Sequence, residues 1–131
     1  METTAERLLR RADEDLSSAT AADEAWEQFR IAHLAALRAA GALVAPADGR
    51  RRPRRAHAGP VWTAVRRDFP GMAPWCDTFT ANARLRSAID AGQLDVVDAS
   101  GAWSALCDAA SFVAEARALL RAEEAAELRA S

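Results

Sequence analysis

Two histidines and 17 arginines are the side chains of this sequence best able to move protons or hold anions, and lysine is absent. His57 closes a run in which Arg50, Arg51, Arg52, Arg54 and Arg55 flank Pro53. An imidazole beside a guanidinium can pass a proton while the cation neutralises a developing oxyanion. Arg50, Arg51 and Arg52 stand seven, six and five residues before His57. Arginines this dense would place one at such a spacing from any nearby histidine. A stretch broken by proline and glycine also holds a transition state poorly. His57 is therefore a weak catalytic candidate, and the five arginines are candidates for binding an anion. The other histidine, His33, sits in an apolar helical stripe one turn from Phe29 and Leu37, three residues after Arg30. Arg30 and His33 could line a pocket or a subunit interface. Alternatively, His33 is a buried histidine donating to a backbone carbonyl or to a carboxylate from another helix.

Charge is spread unevenly. Between Gly49 and Arg67 lie seven arginines (50, 51, 52, 54, 55, 66 and 67) and no acid, whereas the remainder carries ten arginines against all 19 acidic residues. An uncompensated basic segment on an acidic body points to an anionic partner, RNA, DNA or an acidic protein, or to a clamp on the chain's own acidic face. Trp62 follows the run and could stack on a base, although a tryptophan opening an amphipathic helix also suits the core. The acids cluster as Asp13-Glu14-Asp15 and Glu123-Glu124, on expected exposed helical faces suited to solvation or to docking of the basic loop. Cys76 and Cys107 fall within apolar helical patterns without a CxxC or a neighbouring histidine, and read as reduced, packed thiols. No metal-binding spacing, glycine-rich phosphate loop or nucleophile elbow occurs, so no metal and no cofactor is expected.

The elements that must position these groups are helical. Thr3 and Glu6 form a capping box ahead of Leu8, Leu9, Ala12 and Leu16, giving a helix near 3–19. Trp26, Phe29, His33, Leu37, Ala40 and Val44 trace a second from about 23 to 45, stopped by Pro46. Residues 46–59 form the irregular basic loop. Pro60 suits the first turn of a third helix over 60–91, buried through Val61, Trp62, Val65, Phe69, Trp75, Cys76, Phe79 and Ala83, with a break at 70–71 and a stop at Gly92. Asp98 or Ser100 caps the last helix, about 98–128, whose expected core face is Trp103, Leu106, Ala110, Val113 and Leu120. No segment alternates with the period of a strand. The expectation is one all-α domain over 1–131, a four- to five-helix bundle with the arginine-rich loop between helices two and three. No apolar run approaches the length of a membrane span and the start does not read as a signal peptide, so a cytoplasmic location is expected.

Three stretches carry a family resemblance: Arg30-Ile-Ala-His-Leu-Ala-Ala-Leu-Arg-Ala-Ala-Gly-Ala-Leu, then Arg50 through Trp62, then Val97 to Leu120. Together, over roughly Ala22 to Leu120, they resemble a compact actinobacterial branch of the HEPN (higher eukaryotes and prokaryotes nucleotide-binding) domains. The resemblance implies a helical bundle, frequent homodimers and, in catalytic members, metal-independent RNA cleavage by an arginine and a histidine four to six residues apart in the later helices. Arg84 and Arg86 occupy that later part here, and no histidine follows them. The leading expectation is a non-catalytic HEPN-like domain, dimeric, that associates with nucleic acid or a nucleotide through Arg50–Arg55. The alternatives are a protein-interaction adaptor in nucleic-acid metabolism or DNA repair, and a weak RNase or toxin-like enzyme.

Overall fold

In a computed structural model, which describes residues 1–46 and 60–131, the Thr3 hydroxyl accepts from the Glu6 backbone N–H while the Glu6 carboxylate accepts from that of Thr3. This reciprocal cap starts α1 (Thr4–Ala21). It is followed by α2 (Ala25–Val44), α3 (Val61–Asp68), a 3-10 turn (Pro70–Met72), α4 (Ala73–Asp90) and α5 (Ala99–Ala130). All regular structure among the described residues is helical, as the periodicity implies.

The stretch expected as one helix with a break is two helices at an elbow. Proline disfavours helical geometry in the residue before it, and Phe69, preceding Pro70, leaves the helix at φ −134°, ψ 74°. Gly92 terminates α4 at φ +97°, a conformation that side-chain-bearing residues rarely adopt. Its N–H reaches the Ile89 carbonyl and that of Gln93 the Ala88 carbonyl, the paired bonds of a Schellman stop. Asp98 caps α5, its carboxylate accepting from the Gly101 N–H at 2.7 Å.

Helix α2 occupies the centre and touches α1, α3, α4 and α5. Its alanines 32, 35, 36, 39 and 40 are fully buried, and such short side chains let neighbouring helix backbones approach closely. Bulk comes from the neighbours: Trp62 of α3, Phe79 of α4 and Phe112 of α5 meet with ring centroids 5.0 to 5.4 Å apart, Trp62 stacked on Phe79 and Phe112 tilted against both, with Trp75 beside them. Trp62 is 6% exposed, so the candidate stacking platform is a core residue. A smaller cluster of Phe29, Ile89, Val97, Ala102 and Ala105 closes the end where α2 and α5 begin and α4 ends. Three expectations for α5 are corrected. Trp103 is 54% exposed, and Ala110 and Cys107 also face outward, because the buried stripe runs through Ala102, Ala105, Leu106, Ala109, Phe112, Val113, Ala116 and Leu120.

Candidate functional site

Six arginines of the helical body have carboxylates beside them. On α1, Arg10 bridges Glu2 and Glu14, each at 3.0 Å. The shared hydrogen bonds hold the Glu2 carboxyl below, and the Arg10 guanidinium above, their ordinary pKa values. Asp15 accepts from Arg38 of α2 at 2.6 Å and Asp13 from Arg117 of α5 at 2.7 Å. In the acidic trio Asp13-Glu14-Asp15, Asp13 and Glu14 are exposed as expected, and each of the three acids pairs with an arginine of the helices. The basic segment shrinks for the same reason. Arg66 pairs with Asp77, and Arg67 with Asp68 at 3.0 Å, so two of the seven arginines read as uncompensated are neutralised by acids beyond the segment's end. The other five, Arg50, Arg51, Arg52, Arg54 and Arg55, lie outside the described residues, as does His57.

His33 is 4% exposed. Its ring stacks parallel to Phe29, centroids 6.5 Å apart, and meets Phe79 of α4 at 6.4 Å. Burial pushes its pKa down to about 4, the Arg86 cation adds to that effect, and the Asp90 carboxylate opposes it. At neutral pH the imidazole is uncharged. The expected bond from His33 to a carbonyl or carboxylate is not observed: its Nδ1 is buried and has no hydrogen-bond partner among the described residues. Arg86 Nε shares that condition, since the carboxylate oxygen of Asp90 stands 3.6 Å away, beyond hydrogen-bonding reach. Arg30, expected to accompany His33, is half-buried one turn earlier on α2. The structure thus brings His33 to Arg86 and Asp90, a grouping the sequence does not signal, because nothing in its spacing ties the first half of α2 to the second half of α4.

Depressions also mark the surface of the described residues. A groove of about 390 Å³ between the end of α4 and the start of α5 has Phe29, Leu85 and Val97 on its floor and Asp95, Asp98 and Asp108 around it. At the α3–α4 elbow, Phe69, Pro70, Met72 and Leu119 line an apolar pocket of about 570 Å³. Among the described residues, no three His, Cys, Asp or Glu side chains converge as metal ligands and no helix is long and apolar enough to cross a membrane.

The described helices pack around a central α2, with a histidine enclosed between rings of α2 and α4. The family model described as SAV_6107-like HEPN matches residues 19–117, and the chain belongs to that family. It matches no curated protein and no solved structure.

Proposed function

We propose that this HEPN domain is a non-catalytic binding module, homodimeric and cytoplasmic, that associates with nucleic acid or a nucleotide through Arg50, Arg51, Arg52, Arg54 and Arg55. The distribution of ion pairs carries this reading. Arginines 10, 38, 66, 67, 86 and 117 have carboxylates beside them, while the five loop arginines have no acid in sequence between Gly49 and Arg67. Uncompensated cations release counterions when they meet phosphates, which gives tight but sequence-indifferent and salt-sensitive association. Absence of catalysis is supported by His33, which is enclosed by Phe29 and Phe79 and uncharged at neutral pH. Retention on single-stranded RNA or DNA is expected to weaken steeply with salt and to vanish when the five arginines are replaced by Ala. Unchanged retention in that variant sinks the proposal. RNA cleavage in EDTA that disappears in His57→Ala would establish the enzyme reading instead.

One observation favours the second reading, a protein-interaction adaptor. Leu94, Val96 and Trp103 are exposed large apolar side chains around the start of α5, and a projecting tryptophan is a common anchor at protein interfaces. On that reading Trp103→Ala abolishes capture of a partner and leaves nucleic-acid retention untouched.

A further inference from the structure

Opposite charges left unmatched in this chain belong to opposite ends of α2. The stretch from Ser87 to Ala116 carries Asp90, Asp95, Asp98, Asp108 and Glu115 and no basic residue. Asp90 stands near Arg86, and Glu115 accepts from the Trp75 indole N–H. Asp95, Asp98 and Asp108 have no arginine beside them among the described residues. These three surround the groove of about 390 Å³, over the floor of Phe29, Leu85 and Val97. Leu94 and Val96 flank Asp95 and are exposed, and Trp103 projects from the early turns of α5. The groove thus joins apolar surface to uncompensated negative charge, a match for cations carried on apolar stems.

Arg50, Arg51, Arg52, Arg54 and Arg55 are such cations, tethered between the end of α2 at Val44 and the start of α3 at Val61. Phe29 lies 44 − 29 = 15 residues before Val44 on α2, about 22 Å along the helix axis. The middle of the basic segment, seven residues from Pro46 and from Pro60, spans at most about 24 Å. Reaching its own groove would draw both limbs nearly straight and forfeit most of their conformational freedom. In a second copy laid antiparallel, the ends of α2 exchange places, and each basic end meets the other's acidic end without stretching.

We propose that the groove at the start of α5 receives the Arg50–Arg55 segment of a second copy, in an antiparallel two-fold dimer. Guanidinium groups pair with Asp95, Asp98 and Asp108, their methylene stems cover the apolar floor, and one lies on the Trp103 ring. Asp98 keeps its bond from the Gly101 N–H, since a carboxylate has acceptor sites to spare. Each copy lends arginines to the other's groove, so the contact closes and does not propagate. The docking rests on the homodimeric reading above and gives it an interface, without requiring nucleic acid. The same arginines cannot hold a phosphate chain and the groove at once, so the groove competes with nucleic acid for them.

Sedimentation velocity of the full chain, from micromolar to hundreds of micromolar, tests the docking. A reversible dimer that weakens as salt rises is expected. The double variant Asp95→Asn, Asp108→Asn spares the α5 cap, and circular dichroism checks its folding. It is expected to weaken the dimer about three- to twentyfold, and replacing the five arginines by Ala to abolish it. Mixing these two variants is expected to give mixed dimers in excess of either variant's own, because the intact groove of one accepts the arginines of the other. A dimer indifferent to the aspartate substitutions, or mixtures without mixed dimers, overturns the docking and leaves the homodimeric reading standing. A chain monomeric throughout overturns both. If that monomer binds a fluorescein-labelled peptide of residues 49–59, the groove serves a basic segment of another protein instead. The Asn variant keeps all five arginines, so its retention on RNA or DNA reports on the nucleic-acid reading separately.

Discussion

His33 illustrates how burial alone reassigns a residue's role. Packed between Phe29 and Phe79, it stays neutral in the folded chain down to a pKa of about 4, against an ordinary value of 6.5. The unfolded chain therefore takes up a proton that the folded chain refuses as the pH drops through 6.5. Stability is full above that value and is lost progressively until about pH 4, by up to about 3 kcal/mol. Urea midpoints measured between pH 7 and 4 are expected to fall more steeply for the native sequence than for His33→Leu, and parallel slopes would refute this. The sequence places His33 correctly on an apolar stripe, because helical spacing is local. It does not announce Arg86 and Asp90, because contact between α2 and α4 depends on how the elbow at Phe69–Pro70 redirects the chain.

At the scale of elements, starts and stops are the most legible features. The Thr3–Glu6 box, the Asp98 cap and the Gly92 stop each depend on a few neighbouring residues, and each is found where the sequence puts it. The face that α5 buries is not legible in the same way. Its stripe is carried largely by Ala102, Ala105, Ala109 and Ala116, which are as common outside the core as within it in so alanine-rich a chain. The eye is drawn to Trp103, which points outward. Substitution separates the two kinds of aromatic. Phe79→Ala, removing a ring that touches Trp62, Trp75, Phe112 and His33, is expected to cost about 3–5 kcal/mol. Trp103→Ala should stay within about 0.5 kcal/mol of the native sequence. Chemical denaturation of both variants decides it, and a large loss in the second would restore the core assignment.

For the whole molecule, the central fact is that α2 has short side chains and takes its covering from every other helix. Close approach leaves no room for growth: Ala36→Leu, at a fully buried position, is expected to lower stability by about 1–3 kcal/mol through overpacking. Ala110→Leu on the outer surface of α5 should be neutral, and thermal melts of the pair check the contrast. The ion pairs from α1 to α2 and from α1 to α5, Asp15–Arg38 and Asp13–Arg117, fasten the same three helices from outside the apolar layer. The dependence of α2 on α5 also has a consequence in time. Translation of the stretch from Val44 to Ala99 occupies on the order of 3–10 s. For that interval the nascent α2 has α1 but lacks α5, and its alanine-lined flank stays open to chaperones until the late helix emerges and seals it.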